Sequence, residues 1–310
     1  MDKNSKQNLR YLYRVYGMNI ESDIEIKEFI KVHEFNDQSI VKINKCKLGE
    51  EIKDKISDGI CSMFSKNEIW FNVRNIAIYQ MLNGNTINFE VYENADMDVV
   101  QLYLTCSCLG FIMIQREKIA LHGGTVIIDG KAIIITGERG AGKSTLTTAL
   151  RESGFKFLSD DVAAISECEP LKVQHGFPYE KLCADAMNKF NYDKKSYKSF
   201  MGDEQIKYLV PAIDDFCLND VPLACVIELE QREVSTVQIE EVKGIEKLNN
   251  IIKSIYRGEY LDYIQGISAN YMKKCISISK DIKFYKIIRP KNEFTVYDQM
   301  ELVESVVKEA

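Results

Sequence analysis

A glycine-rich segment of the chain combines the residue types that bind phosphate. Residues 137–144 read Gly-Glu-Arg-Gly-Ala-Gly-Lys-Ser, which fits the G-x-x-x-x-G-K-S pattern of phosphate-binding loops. An apolar run precedes it at 132–135. A helical pattern follows from Lys143 to Ser153, with Gly154 at the position of a C-cap glycine. Strand, glycine loop and helix in this order predict that the loop binds a nucleotide.

Each residue type in this loop has a physical role. Glycine lets the backbone curl close to an anion, so that N–H groups of the loop and of the first helical turn point at phosphate oxygens. Lys143 supplies a charge for the β- and γ-phosphates, and Ser144 offers a hydroxyl to Mg²⁺. The predicted cofactors are therefore ATP or GTP with Mg²⁺. The predicted nucleotide-binding residues are Gly137, Glu138, Arg139, Gly140, Ala141, Gly142, Lys143, Ser144 and Thr145.

Two adjacent carboxylates follow the next predicted strand. Residues 155–158 have a strand pattern, and Asp160 and Asp161 come just after it, before the apolar run Val162–Ile165. One carboxylate can hold Mg²⁺ while the other accepts a proton from a hydroxyl nucleophile. A polar turn between two strands is the alternative, and the glycine loop nearby favours the functional interpretation.

A predicted hairpin connects the glycine loop to an earlier histidine. Asp129-Gly130 between apolar runs indicates a two-residue turn, so a strand at 125–129 is expected to pair antiparallel with the strand that enters the loop. His122 is then expected near the mouth of the loop, where it can tune a carboxylate or contact phosphate. A histidine that is only hydrogen-bonded at a strand entry is the alternative.

The stretch from His122 to Asp161 resembles the catalytic domain of the HPr serine kinase/phosphorylase family, in which a histidine, the loop and paired aspartates stand in the same order. The resemblance implies an α/β fold with a P-loop core and a mixed sheet, as in phosphoenolpyruvate carboxykinases. It implies that His122 supports the active site and that Lys143 and Ser144 bind nucleotide and Mg²⁺. It also implies that Asp161 is the catalytic base and Asp160 the metal partner of Ser144.

Weaker motifs extend the likeness over nearly the whole chain. Tyr13–Asp23 fits Y-x-x-x-G-x-x-I-x-S-D, Gln115-Arg116 precedes the Leu-His-Gly of the central stretch, and Phe284–Pro290 is an aromatic–basic run that ends in Arg-Pro. In this layout the chain is most similar to relatives that modify precursor peptides, such as the lasso-peptide-type kinases. Residues 173–186 do not fit the family's glycine-containing signature, which leaves a phosphorylase activity open.

The predicted function is therefore that of an ATP-dependent phosphotransferase. It is a serine kinase that transfers the γ-phosphoryl group to a Ser or Thr hydroxyl of a small protein or a ribosomally made precursor peptide. Two alternatives stay open: a regulatory protein that binds or hydrolyses NTP, and a kinase for the hydroxyl of a small metabolite. The family resemblance also implies a homo-oligomer, although the residues themselves show no interface.

Composition narrows the partners and the compartment. The formal net charge is −6 and the pI about 5.4, so no cationic field for nucleic acid is predicted. The nine cysteines are odd in number and irregularly spaced, which argues against a zinc site. Together with the polar residues that follow Met1, they predict a reduced cytoplasmic protein. The apolar run Val99–Ile114 is short for a membrane span, so we expect a buried helix and no membrane.

The chain is expected to form two domains. Residues 1–118 are predicted to be a mainly antiparallel β lobe that ends in the buried helix, with a first strand at Leu12–Ile20. Residues 119–310 are predicted to be the P-loop kinase catalytic domain.

Two segments of the second domain have open interpretations. Residues 187–204 are rich in lysine and aromatic residues, and they indicate either a solvated mobile segment or a contact for an acidic peptide. Apolar residues at helical spacing predict one helix over Gly244–Ile264. Arg257 on that helix is either a surface charge or a phosphate contact.

Overall fold

The computed structural model describes most of the chain, namely residues 10–35, 39–202, 205–264, 266–291 and 293–309. The chain divides into two compact units. The first runs to Glu117 and includes Glu259–Ile267, and the second comprises Lys118–Gly258 and the chain from Ser268 onward. Strands and helices occur in both units, and the second has a mixed sheet packed on helices, so the predicted α/β class is confirmed.

The first unit is built on a seven-stranded sheet in the order β1-β2-β3-β7-β6-β5-β4. The pairs β2–β3 and β3–β7 are parallel and the other pairs are antiparallel. Helix α1 spans Glu50–Ser57. The strands are β1 Tyr11–Val15, β2 Met18–Ser22, β3 Ile40–Lys45, β4 Ser62–Phe64, β5 Glu68–Val73, β6 Ala77–Leu82 and β7 Thr86–Val91.

A continuous helix follows the sheet of the first unit. It comprises α2 (Met97–Tyr103), a π-helical segment (Leu104–Cys108) and α3 (Leu109–Gln115), and the Asp96 side chain caps its start. Among the described residues it is the one helix long and apolar enough to cross a bilayer, with a mean hydropathy of 1.7. Because 61% of that apolar window is buried within the protein, it has the character of a core helix.

The start of the chain differs from the prediction. The single strand expected at Leu12–Ile20 is a hairpin of β1 and β2, since Tyr16 and Gly17 have φ of 55° and 66° and reverse the chain. Tyr16 is only 1% exposed. A buried aromatic residue in the turn keeps the apolar pattern unbroken, so the turn is not visible in the sequence.

The second unit contains eleven strands and five α-helices among its described residues. The strands are β8 Ala120–Ile128, β9 Lys131–Gly137, β10 Lys156–Ser159, β11 Val162–Ile165, β12 Lys172–Gln174, β13 Tyr179–Cys183, β14 Lys198–Gly202, β15 Gln205–Pro211, β16 Val221–Arg232, β17 Gln238–Glu241 and β18 Lys283–Pro290. The helices are α4 Lys143–Glu152, α5 Ala184–Lys189, α6 Gly244–Lys253, α7 Ala269–Asp281 and α8 Val296–Glu309.

The larger sheet of this unit has the order β10-β8-β11-β12-β16-β18-β17, and β9 pairs with both β8 and β16. The pairs β9–β16 and β16–β18 are parallel, and the rest are antiparallel. Strand β8 pairs with β11 through its first residues and with β9 and β10 through its later ones. The β8–β9 hairpin has the expected turn, in which Asp129 and Gly130 have φ of 50° and 74°.

A single apolar core fixes α4 against this sheet. Side chains of β8, β9, β16 and β18 pack together with α4 and α8, and Leu146 and Leu150 of α4 are fully buried there. Burial of one such leucine contributes about 1.5–3 kcal/mol. The core therefore holds α4 at a set position beside β9, the strand that leads into the glycine loop.

Two segments of the second unit differ from their predictions. Residues 187–204 were expected to be a mobile surface segment, but the described part contains the end of α5 and strand β14, which pairs with β15; Asp203 and Glu204 lie outside the described residues. The helix expected over Gly244–Ile264 ends at Lys253, and Ile255 then forms a bridge with Leu121 of β8. Arg257 has φ of 59°, so no helix continues through it. A 3₁₀ helix, Gly258–Ile264, completes that stretch.

Candidate functional site

The glycine loop, residues 137–144, joins β9 to α4. Gly137, Gly140 and Gly142 have φ of 138°, 81° and 109°, a region that other residues rarely adopt. A Cβ atom on Gly137 would lie 2.5 Å from the carbonyl oxygen of Leu229, so this position has no room for a side chain. The predicted glycines are therefore required by the backbone of the loop.

The ammonium of Lys143 folds back over the loop. Its Nζ donates hydrogen bonds to the carbonyl oxygens of Gly137 at 2.8 Å and of Glu138 at 3.1 Å. Burial lowers the pKa of Lys143, against the opposing effect of the Asp161 and Asp160 carboxylates. The Lys143 charge and the two aspartates are thus close enough to interact.

Two side chains from other strands hold the loop, and neither contact was predicted from the sequence. Arg289 of β18 donates from Nε to the carbonyl oxygen of Ala141 at 2.9 Å, and Gln231 of β16 donates to that of Gly140 at 2.9 Å. Both strands run parallel in the same sheet as β9, so their carboxyl ends reach the loop. The loop is fixed by three neighbouring strands.

The start of α4 can accept an anion. Its N-cap is Gly142, which makes no side-chain capping bond, so the N–H groups of the first turn point into the loop without a capping oxygen. Ser144 and Thr145 are half-buried in this turn, while Glu138 and Arg139 are exposed. Glu138 forms an exposed ion pair with Lys253 at 2.9 Å.

Backbone bonds bring the aspartates and His122 to the loop. The amide of Gly123 donates to the carbonyl oxygen of Asp161 at 3.0 Å, and Gly123 lies directly opposite Thr136, the residue before the loop. Thr136 donates its hydroxyl to the carbonyl oxygen of His122 at 2.8 Å. Three adjoining strands therefore deliver the loop, the histidine and the aspartate pair to one place.

The two glycines after His122 are required by close packing. A Cβ on Gly123 would meet the carbonyl oxygen of Ile135, and a Cβ on Gly124 would lie 2.5 Å from the hydroxyl of Thr147 on α4. Both distances are below any that real Cβ atoms show. The Leu-His-Gly-Gly motif thus lets β8 pass close to β9 and α4.

Lys181 of β13 binds both aspartates and was not singled out in the sequence. Its backbone N–H donates to Oδ2 of Asp160 at 2.9 Å, and its ammonium forms an ion pair with the carboxylate of Asp161. The Lys181 side chain is only 7% exposed. A lysine in a short strand gives no sign of such a contact, because the partner comes from a distant part of the chain.

The two aspartates differ in their protonation. Burial alone would raise the pKa of Asp161, but the positive charge of Lys181, helped by that of Lys207, outweighs it and holds that pKa well below its usual range. Burial is the main cause that raises the pKa of Asp160 to about 7, and the neighbouring Asp161 charge acts in the same direction. Asp161 has φ of 57°, an uncommon conformation that turns the chain between β10 and β11.

His122 lies beside Asp161. Its ring stacks on Tyr256, with centroids 5.8 Å apart and an interplanar angle of 9°. Desolvation lowers the pKa of His122 to about 4 although the Asp161 charge opposes it, so the imidazole is neutral at pH 7. The guanidinium of Arg257 lies 5.4 Å from the centre of the Tyr256 ring and adds positive charge to this region.

Lys207 and His175 have different surroundings. Lys207 of β15 adds a positive charge that contributes to the pKa shifts of both Asp161 and Lys143. His175 is buried with its ring edge-on to Phe216 at 6.1 Å.

A buried ion pair supports the strand that carries Lys181. Arg151 of α4 donates from Nε to Glu180 at 2.9 Å, and Thr148 donates to the same carboxylate at 3.2 Å. Arg151 and Glu180 are 7% and 1% exposed. The helix that begins at the glycine loop is thus tied to β13, next to Lys181.

The donor set fits Mg²⁺ bound together with a nucleotide. The Ser144 hydroxyl and the Asp160 carboxylate are the hard oxygen donors that Mg²⁺ prefers. Burial raises the pKa of Asp160, and a bound cation would offset this effect by stabilising the ionised carboxylate. Across the described residues no group of three His, Cys, Asp or Glu side chains could hold a metal. Mg²⁺ usually takes one or two carboxylates, and phosphates and water complete its shell.

Comparisons with known proteins give little direct guidance. No protein-family model and no curated protein matches the chain. Among solved structures, that of the HPr(Ser) kinase/phosphatase from Coxiella burnetii is similar over 61% of this chain and 94% of that one, with 15% sequence identity and a TM-score of 0.29. Likeness at this level is a distant structural relationship and assigns no residue a role.

Proposed function

We propose that this protein is a cytoplasmic, nucleotide-dependent phosphotransferase. It transfers the γ-phosphoryl group of ATP or GTP to a Ser or Thr hydroxyl of a small protein or peptide. The proposal is supported by one observation above all: the glycine loop, His122 and the Asp160–Asp161 pair meet at the ends of adjoining strands. A phosphate-binding loop beside a proton-accepting carboxylate is what transfer to a hydroxyl requires.

Contacts within the site support the proposed role of each residue. The amides of the loop and of the first turn of α4 bind the phosphates, and the Lys143 ammonium exchanges its two carbonyl partners for phosphate oxygens. Ser144 and Asp160 would hold Mg²⁺, whose charge would screen that of the phosphates. Arg289 and Gln231 keep the loop carbonyls turned away from the anion.

In the proposed step, the acceptor hydroxyl oxygen attacks the γ-phosphorus and a new P–O bond forms. The bond from that phosphorus to the β–γ bridging oxygen breaks, and its electron pair leaves with the nucleoside diphosphate. The hydroxyl proton passes to the carboxylate of Asp161, which the Lys181 ammonium keeps ionised and oriented. The neutral His122 adds no second positive charge beside Asp161, so the Lys181 ammonium is the cation that orients this carboxylate.

The test uses labelled ATP, Mg²⁺ and a degenerate serine peptide library, with products located by mass spectrometry. Asp161→Asn is expected to keep nucleotide affinity and to lower transfer by about 10²–10⁴, the usual contribution of a general base. Lys143→Ala is expected to lose nucleotide affinity itself. Asp129→Asn, in the hairpin turn at the far end of β9, is the matched control and should behave as wild type.

The outcomes separate the alternatives. Label that appears only as free phosphate would show an NTP-hydrolysing protein, and phosphopeptide formed equally by Asp161→Asn would remove Asp161 from the mechanism. If Asp160→Asn abolishes transfer while Asp161→Asn loses Mg²⁺ binding, the two aspartates have exchanged roles.

A further inference from the structure

The three-stranded sheet β13-β15-β14 has two unlike faces. In an antiparallel pair, residues directly opposite each other share a face, and alternate residues along a strand do the same. Leu182 and Val210 lie on one face and pack against Ala186 and Met187 of α5. That face is therefore the covered side of the sheet.

The other face carries three lysines. Lys181 and Lys198 both lie opposite Leu209, one on each side of β15, and Lys207 lies two residues before Leu209 on the central strand. The register puts Phe200 on the same face, opposite Lys207. Within the described parts of these strands, this face has no acidic residue. We call Lys181, Lys207 and Lys198 the lysine face.

The lysine face begins at the candidate active site and leads away from it. Lys181 is buried and paired with Asp161, Lys207 is half-buried, and Lys198 is exposed. The three cations therefore become more accessible to solvent with distance from the aspartates. A surface of this kind attracts a negatively charged chain and directs one end of it towards Asp161.

We propose that the lysine face binds an acidic segment of the acceptor peptide and so brings its hydroxyl to Asp161. This inference names the substrate class of the same site and rests on the proposed function. Neighbouring strands are about 4.8 Å apart, so β14 lies about 10 Å from β13, which an extended peptide spans in about three residues. Carboxylates two to four positions from the acceptor serine thus reach Lys207 and Lys198, and Phe200 contacts an apolar side chain between them.

The experiment measures peptide binding without nucleotide. Two fluorescein-labelled ten-residue peptides contain one serine in a Gly/Ala background, with three Glu or three Gln residues at two to four positions from the serine. Fluorescence anisotropy at low ionic strength is expected to show that the Glu peptide binds at least tenfold tighter and that salt weakens it. Lys198→Glu is expected to weaken that binding about tenfold, since an attraction becomes a repulsion.

Lys131→Glu is the matched control. It makes the same charge change at the start of β9, which is about 20 Å from Gly137 at the spacing of an extended strand. It should bind the Glu peptide as wild type does. Thermal unfolding and nucleotide affinity are expected to be unchanged in Lys198→Glu and Lys131→Glu, because neither residue touches the glycine loop. Lys198→Gln, which removes the charge without reversing it, is a milder second variant.

Three results would overturn the inference: equal binding of the Glu and Gln peptides, wild-type affinity in Lys198→Glu, or a single-stranded oligonucleotide that binds as tightly and depends on Lys198 in the same way. Failure of the proposed function looks different. If the Glu peptide binds through Lys198 but no phosphopeptide forms with ATP and Mg²⁺, the lysine face is a peptide-binding surface and the proposed kinase function is wrong. If serine peptides are phosphorylated equally with and without Glu residues, the proposed kinase function is supported and the inference about the lysine face is wrong.

Discussion

At the scale of single residues, His122 and Asp161 lie side by side, and both are deprotonated at pH 7 for different physical reasons. Lys181 keeps Asp161 ionised, whereas desolvation keeps the imidazole neutral despite the carboxylate next to it. A charged imidazolium would compete with Lys181 for the same carboxylate. A neutral imidazole leaves the ion pair between Lys181 and Asp161 undisturbed.

His122 is therefore expected to titrate far below an ordinary histidine. NMR of the three histidines should show one imidazole with a pKa of about 4, absent from His122→Gln. In unfolded chains the pKa is about 6.5, so the unfolded state takes up this proton first as the pH falls. The free energy of unfolding should decrease between pH 6.5 and 4 through this group, and that part of the slope should vanish in His122→Gln. A pKa above 6 would contradict the prediction.

At the scale of elements, the glycine loop depends on two separable constraints. Gly137 and Gly140 both have positive φ, but only Gly137 faces a backbone atom, the carbonyl oxygen of Leu229. The space around Gly140 is open within 4 Å. Backbone conformation alone thus restricts Gly140 to glycine, whereas conformation and packing together restrict Gly137.

Replacing each glycine with alanine should separate the two effects. Gly140→Ala is expected to cost about 1–2 kcal/mol of stability, the strain of a left-handed alanine. Gly137→Ala should cost more and should also lose nucleotide binding, because the strand end must move away from β16. Urea unfolding and the anisotropy of a fluorescent ATP analogue measure the two effects. Wild-type affinity in Gly137→Ala would show that the loop tolerates the shift.

The link between α4 and β13 is a second property of elements. Arg151→Met leaves the Glu180 charge buried without its cation, so we expect a loss of about 3–5 kcal/mol in the free energy of unfolding. The control is Lys189→Met, which removes an exposed ion pair with Asp185 and should cost less than about 1 kcal/mol. Equal losses in the two variants would mean that the buried pair contributes no more than a surface pair.

At the scale of the whole molecule, the first unit is discontinuous in sequence. Glu259–Ile267 belongs to it although the chain on either side belongs to the second unit. Tyr260 in this segment lies 4.9 Å from Phe64 and 5.1 Å from Phe111, measured between ring centres. The N-terminal stretch alone therefore lacks part of its own aromatic cluster.

This segment should stabilise the first unit measurably. Tyr260→Ala is expected to lower its free energy of unfolding by about 2–3 kcal/mol, since it removes a half-buried ring and its aromatic contacts. The only tryptophan, Trp70, is fully buried in the first unit, so its fluorescence reports on that unit. Tyr263→Ala, at a position 69% exposed, should cost less than 1 kcal/mol. Equal losses of stability in the two variants would show that the segment does not stabilise the first unit.

The sequence by itself determined the parts of the candidate site that are local in the chain. The glycine loop, the Asp129-Gly130 turn and the strand before the paired aspartates are short-range patterns, and each predicted element is present. The physical reason is that φ preferences, turn chemistry and alternation of apolar residues act over a few neighbouring positions. The roles of His122, Lys143, Ser144, Asp160 and Asp161 stay predictions.

Only the tertiary structure decided which distant residues join them. Lys181 meets the aspartates, Arg289 and Gln231 meet the loop, and Glu259–Ile267 joins the first unit, through contacts that sequence spacing does not encode. Such contacts depend on strand order, and pairing between remote strands is set by the packing of the whole sheet rather than by any local preference. The lysine face arises in the same way, since three unremarkable lysines come together only through the register of three strands.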